Sequence, residues 1–443
     1  MPTPLTLSAQ LARARMAVFA LFFTNGALYA NLVPRFPKIK DVFGLSDSVY
    51  GITVSLLPLG AIIAGSAAGW AIRRFTSART AVMGTMGIGL MLTLAGFIVM
   101  WRETMGDSPG IYGLIAYFAC AICFFLGGAL DAATDVGQNA HGLRVQRLMG
   151  RPIINNFHAG WSIGAMTGGI MGAGAIALGL PVGVHMAISA GIFFIVGLIC
   201  LRFTLPGADP ERGELDPILA GGAQDDAPVD GDDLPEMQVH TIHLGPWLVV
   251  AAVTVLTIAG MLVEDAGGTW STLYMRDYLG AAPELASIAF IVLLGAQTIG
   301  RLTADRQMEI LGNRKTVQVG ALLVATGMGI AVIWPNISTT LIGMALAGFG
   351  CAGIVPIAYN AADDIPGLRP GTGLTVVTWL SRLSFLAAPP IVGFIIERTS
   401  LLTAMIVIPI SGILAVICSF IIANEGGATS AQKSAPKEKV SLT

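Results

Sequence analysis

Six ionisable side chains stand inside long apolar runs of this 443-residue sequence: Asp131, Asp135, Glu264, Asp265, Arg301 and Arg382. At the centre of a lipid-crossing helix each costs about 2.5–3.5 kcal/mol, so each must face protein or a water-filled cavity. Asp131, Asp135 and Asn139 follow one another at intervals of four and share one helix face. A carboxyl in such a place can exchange a proton and can also accept hydrogen bonds from a bound solute. Asp131 is the first candidate for both tasks and Asp135, further along the helix, the second. Glu264 and Asp265 can gate or couple or simply stand at the outer mouth without chemistry, and Glu264 is the third candidate for carrying a proton. Arg382 stands about eleven residues into its run, near mid-depth, where it can hold a solute's carboxylate or hydroxyl or pair with a protein acid. Arg301 lies near the end of its run and reads as a structural pairing residue. His158 reads either as a packing residue or as a proton relay beside the Asp131 helix.

Uncharged polar and aromatic residues fall in the same runs: Asn25, Tyr29, Trp161, Trp270, Gln297, Asn360 and Trp379. Each one alone is better read as a packed core residue. As a set they suit a polar organic solute, because rings cover the apolar faces of a pyranose while amides and carboxylates bind its hydroxyls.

The elements that position these residues follow from composition. The chain is 54% hydrophobic and 12% charged, with mean hydropathy +0.74. A soluble domain is about a quarter charged, so the chain belongs in a bilayer. A net charge of −2 supplies no basic footprint for nucleic acid. The five cysteines sit in apolar runs with no second Cys or His pair at metal-ligand spacing, so neither a metal nor a cofactor is expected. Twelve stretches are long enough to cross lipid, near 14–36, 47–72, 79–101, 111–137, 153–177, 181–203, 246–270, 286–304, 316–334, 338–362, 371–396 and 400–423. The first is too long for the core of a secretory signal and reads as a retained span.

The expected fold is therefore an all-α polytopic membrane protein, with twelve transmembrane helices in two six-helix pseudo-symmetric halves. Residues 1–203 form the first bundle and 246–423 the second. Residues 204–245 form an acidic, disordered linker and 424–443 a disordered tail. With both termini cytoplasmic, 17 of the 25 Lys and Arg fall on that side and six on the other. Trp70, Trp101, Trp247 and Trp334 stand at span ends, where indoles anchor. The expected setting is a bacterial inner membrane, with the protein as a monomer.

The halves repeat. At an offset of 221, Gly127, Asn139-Ala140, Gly150 and Gly172 fall on Gly348, Asn360-Ala361, Gly371 and Gly393. At 235, Leu59-Gly60-Ala61, Gly65, Arg79 and Val82 fall on Leu294-Gly295-Ala296, Gly300, Arg314 and Val317. The segment Gly300-Arg301-Leu302-Thr303-Ala304-Asp305-Arg306, followed by Gly312-Asn313-Arg314-Lys315, resembles the signature loop of the major facilitator superfamily. The first-half copy keeps Gly65, Arg73, Arg74 and Arg79 but has no acid. The resemblance implies that Gly65 and Gly300 let helices approach, while Asp305 with Arg79, Arg306 and Arg314 latches one half to the other. It also implies a solute site at mid-membrane between the halves. Positive-inside charge alone explains the arginines but not Asp305.

A narrower resemblance lies in the first half. Gly127-Gly128-Ala129-Leu130-Asp131-Ala132-Ala133, Asn155-Asn156-Phe157-His158-Ala159-Gly160-Trp161 and Asn31-Leu32-Val33-Pro34-Arg35-Phe36 are similar to segments of the fucose permease group. Asp131 matches that group's acid. Ala30 stands where the group carries a second, four residues before the proline, so its two-acid mechanism is not carried over whole.

The resulting expectation is a secondary transporter of a small polar organic solute, a sugar or sugar-like metabolite, working by alternating access as a proton symporter. Its partners are that solute, protons and the lipid bilayer. Two alternatives stand beside it: a proton-coupled exporter of drugs or metabolites, and an intramembrane enzyme acting on a lipid-linked substrate. Span five carries close-packing glycines without the Gly-Pro break of antiporters, which weighs against drug efflux. No catalytic motif accompanies the acids, which weighs against the enzyme.

Overall fold

The computed structural model describes residues 6–106, 110–151, 153–207, 209, 216, 245–363, 365, 367, 368 and 371–422. The tail at 424–443 and all of the acidic linker except 204–207, 209, 216 and 245 lie outside them. The described residues are helical throughout, with no strand among them. Twelve crossings alternate in direction. The first half has Leu7–Leu32 (continuing through Val33–Arg35 into Phe36–Phe43), Asp47–Ala64, Ser77–Glu103, Gly110–Met149, Ile154–Ala177 and Val182–Leu201. The second has Pro246–Leu273, Ile288–Leu311, Asn313–Ile333, Ile337–Cys351 with Ile354–Asp363, Thr372–Ile396 and Leu401–Cys418. These are spans 1 to 12. The first and last described residues lie at one end of the bundle, the terminal end; the opposite one is the far end.

Large apolar side chains such as Ile111, Phe118, Ile195, Ile299 and Ile330 are exposed on the outside, as lipid contact requires. Hydroxyls within the spans turn back on their own helix, as Thr85 does on Ala81 O (2.9 Å), Thr254 on Val250 O (2.7 Å) and Ser381 on Val377 O (2.7 Å). That satisfies a donor where no water can. Eleven spans are long and apolar enough to cross lipid by composition alone. Span 5 is diluted by glycine, and the reason is packing. A Cβ on Gly164 would lie 1.9 Å from Phe23 O, and one on Gly168 2.2 Å from Ala27 O, so backbone meets backbone along span 1.

The internal repeat is physical. Gly128 presses span 4 onto Leu57 O of span 2 (1.9 Å to an added Cβ), and Gly348 presses span 10 onto Leu293 O of span 8 (2.1 Å). The turn before span 3 has Thr76 at φ 78, ψ 157, and the turn before span 9 has Gly312 at φ 79, ψ 161. These equivalences run at 220 and 236, one residue away from the offsets of the sequence matches. A run of neighbouring glycines such as Gly127-Gly128 cannot fix a register to one residue.

The halves meet at the far end through a small set of contacts. Arg276 after span 7 donates both terminal nitrogens to Asp41 (2.7 and 3.0 Å). Tyr50 of span 2 donates to Thr269 O of span 7 (2.7 Å), and Glu397 accepts from Ser48 N (3.0 Å). Gly51 and Gly393 allow spans 2 and 11 to touch, with added Cβ atoms only 2.3 Å from Pro389 O and Asp47 O. Towards the terminal end Asp135, His158, Asn360 and Arg382 are exposed. The conformer is closed at the far end.

Arg144 and His141, in the stretch around Arg147 and Arg151 whose charge suits orientation, have a second task. Span 4 continues as helix to Met149 and carries both inward, where Arg144 is 1% exposed. Asp216 takes Arg144 in two hydrogen bonds (2.8 and 2.9 Å), while Asp209 accepts from Ser77 N (2.7 Å) and Ser77 Oγ (2.6 Å). These two acids of the linker are thus held against the first bundle, because a buried guanidinium needs a counter-charge.

Two outcomes follow from these contacts. Gly128→Val forces apart spans 2 and 4 and should cost about 1–3 kcal/mol, read as a fall of several degrees in melting temperature of purified protein. Gly191→Ala, with nothing within 4 Å of an added Cβ, should leave it unchanged. Hydrogen bonds from the Ser46 side chain and from Ser48 hold the Glu397 carboxyl at about 2, against an ordinary 4.5. Because the value is depressed in the closed form, Glu397 supports closure fully above about pH 5 and loses its effect as pH falls towards about 2. Distances between spin labels at the far end should report that acid limb, and Glu397→Gln should abolish it.

Candidate functional site

A cavity of ≈ 350 Å³ lies between the two halves. Span 1 contributes Asn25 and Tyr29, span 4 Asp131, span 5 Trp161, span 7 Glu264 and Asp265, with apolar walls from spans 2, 3, 8 and 11. Glycine contacts place several of these groups. The press of Gly128 on span 2 fixes the turn that ends in Asp131, and Gly26 sits on the carbonyl of Trp161 (2.2 Å to an added Cβ), which holds that indole at the wall. Pro58 also lines the cavity, and its ring removes a backbone N–H from span 2 there.

Asn25 Nδ2 donates to Asp131 Oδ1 at 3.0 Å. Tyr29, 37% exposed, has Asp131, Glu264 and Asp265 as electrostatic neighbours. Across the cavity Glu264 Oε2 accepts from Gln297 Nε2 (2.8 Å) and meets Arg301 Nη2 (3.4 Å). Arg301 Nη1 donates to Ser162 Oγ of span 5 (2.6 Å), so one guanidinium touches both halves. Asp265 is 7% exposed and lines the cavity without a hydrogen bond or ion pair among the described residues.

The remaining candidates lie elsewhere. Asp135 accepts from Asn139 Nδ2 (2.9 Å), and His158 and Arg382 are its titratable neighbours nearer the terminal end. His158 stands edge-on to Phe22, with ring centroids 5.2 Å apart. Trp270 is fully buried against Tyr50 (centroids 5.2 Å, 74°) and does not line the cavity, its indole N–H without a partner among the described residues. Gln297 reaches Glu264 and not the cavity. Asn360 and Trp379 are exposed and do not line it either.

Of the residues implied to gate, Gly300 does permit close approach, with Ala352 Cβ 2.6 Å and Phe349 O 2.7 Å from an added Cβ. Gly65 opens a single 3-10 turn, and a Cβ added to it would meet no other element within 4 Å among the described residues. Arg314 donates to Ile422 O (2.7 Å) and Phe420 O (2.9 Å), tying span 9 to the end of span 12 within one half. Arg79, Asp305 and Arg306 are exposed, and no ion pair joins Asp305 to the first half among the described residues. Ser162, Thr269, Phe290 and Phe385 carry no sequence signal of their own: small hydroxyls and single aromatics are common in any span. Only the Arg301 charge hinted that some partner had to stand opposite it.

Comparison with known proteins agrees with this geometry. Residues 252–443 match the Major Facilitator Superfamily sequence model. Membrane protein MosC of Rhizobium meliloti is 26% identical over 403 residues, covering 91% of this chain and 88% of that protein. An uncharacterized MFS-type transporter of Yersinia pestis is 26% identical over 388 residues, covering 86% of this chain and 89% of its own. Among solved structures, a mutant of the nucleoside transporter NupG has a TM-score of 0.64 at 12% identity, over 92% of this chain and 98% of that one. A bacterial homologue of the iron transporter ferroportin, in its inward-facing state, has a TM-score of 0.61 at 12% identity, over 94% and 100%. Two six-helix halves around a shared cavity, a family match over the second half and relatives spanning nearly the whole length make the chain similar to membrane transporters of the major facilitator superfamily.

Proposed function

We propose that this transporter moves a small polar organic solute, of sugar-like size, by alternating access and in symport with protons. The observation that carries the reading is the Asp131 carboxylate at the wall of a cavity shared by both halves, held by a single amide from Asn25. A cavity of ≈ 350 Å³ is at the small end of the range of about 300–1,000 Å³ usual for ligand sites, which suits a compact metabolite better than a bulky lipophile. NupG, which shares the fold, is a nucleoside transporter by name, and a nucleoside is a solute of comparable polarity.

Rocking of the halves needs a link between cavity charge and the seam, and Arg301 offers one. Glu264 and Ser162 share its guanidinium. A proton on Glu264 would weaken that hold and shift Arg301 towards Ser162, changing how spans 5 and 8 meet. Binding then biases which end opens, which is all that alternating access requires thermodynamically. Positive-inside charge supports the reading in which the terminal end, and with it the opening of this conformer, faces the cytoplasm.

Proteoliposomes offered a panel of labelled sugars and sugar-like metabolites test the reading. Under an imposed proton gradient, the wild type should accumulate at least one member. Asp131→Asn should still exchange that solute across the membrane but accumulate it at least about tenfold less, since a tenfold gradient stores about 1.4 kcal/mol of coupling. Accumulation equal to wild type would remove Asp131 from coupling. Glu264→Gln should weaken accumulation in the same direction.

A further inference from the structure

We infer that the solute of the central cavity is a small organic cation carrying an ammonium group, and that Asp265 is the carboxylate that meets it. The inference rests on the reading of this cavity as the solute site. Three carboxylates, Asp131, Glu264 and Asp265, line it, and no Lys, Arg or His stands among the described lining residues. Two of the three have protein partners: Asn25 donates to Asp131, and Gln297 and Arg301 serve Glu264. Asp265 has none among the described residues, although it is 7% exposed and turned to the cavity. A buried carboxylate without a counter-charge is costly, and a cationic solute relieves that cost on binding.

The walls fit the same chemistry. Tyr29, Trp161, Phe290 and Phe385 line the cavity beside the acids, and aromatic faces attract an ammonium through their negative quadrupole. A sugar acid or a phosphate ester would meet three carboxylates and no free cation, since the Arg301 guanidinium is divided between Ser162 and Glu264. A neutral sugar would leave the Asp265 charge unmatched. For a metal ion, no group of three His, Cys, Asp or Glu converges closely enough among the described residues. Beyond the cavity, towards the terminal end, Asp135, His158 and Arg382 form a mixed set of both signs that adds no net cationic pull.

Matched probes differing in charge alone test this. Purified protein is titrated with glucosamine, glucose and glucuronate, and with tyramine, its alcohol analogue tyrosol and 4-hydroxyphenylacetate, by calorimetry and by thermal shift. The ammonium member of at least one trio should bind tenfold or more tightly than its neutral and anionic counterparts. Asp265→Asn should erase that preference and Asp265→Glu should keep part of it. A neutral or anionic member that binds as well as the amine overturns the inference while leaving the cavity as the solute site, as does a preference that survives Asp265→Asn. Should Asp265→Asn not fold, the charge ranking on the wild type decides alone. If no member of either trio binds at millimolar concentration, the inference and the reading of the cavity fall together.

Discussion

Lipid offers no partner to a charged group, and that constraint arranges this molecule. Asp131, Glu264 and Asp265 belong to helices that must otherwise face hydrocarbon or other helices, and all three turn to one cavity at the junction of the halves. The cationic side chains obey the same rule by different means. Arg301 spans the seam between Glu264 and Ser162, and Arg144 is buried beneath the start of the linker with Asp216 as its counter-charge. A charge in a span is therefore either paired within one half, as at Arg144, or placed where the two halves can share it. Only the second kind can sense or drive their relative motion.

Glycine makes that sharing possible. Backbone-to-backbone contacts between spans 1 and 5, 2 and 4, and 8 and 10 turn each half into a stiff unit with little side-chain slack. The far end is then sealed by a small set of contacts between otherwise independent bodies: Arg276 on Asp41, Tyr50 on Thr269, Glu397 on Ser48, and the approach of spans 2 and 11 at Gly51 and Gly393. Several of these lie near the surface, where an ion pair is worth no more than about 1 kcal/mol. Under the proposed alternating access, a closure built from such contacts is one that solute binding has to open.

Much of this was legible in the sequence, for physical reasons. Run length gives twelve helices because a bilayer fixes how long a span must be. The placement of Asn25, Tyr29, Asp131, Trp161 and Glu264 around one cavity follows from the cost of polarity in lipid, whichever helix carries it. Other features depend on neighbours that no local pattern encodes. Trp270 turns to Tyr50 because span 2 crosses there, and Ser162, which also back-bonds to His158 O, looks like any helix serine until Arg301 arrives from the other half. Adjacent glycines such as Gly127-Gly128 leave the register of the repeat open by one residue, since either can be matched to Gly348. Arg144 and His141 lie beyond the apolar stretch of span 4 and are nevertheless buried, because its helix outruns that stretch by several turns.

Accessibility from the two sides tests the central claim most directly. Phe385→Cys, made in a background whose five native cysteines are replaced, places one thiol on the cavity wall. An impermeant thiol reagent should label it from the terminal side in the protein as it stands, and from the far side once Arg276→Ala loosens that end, with each opening protecting against the other. Labelling from one side only under every condition, or from both sides at once at the same rate, would contradict a carrier that alternates about this cavity.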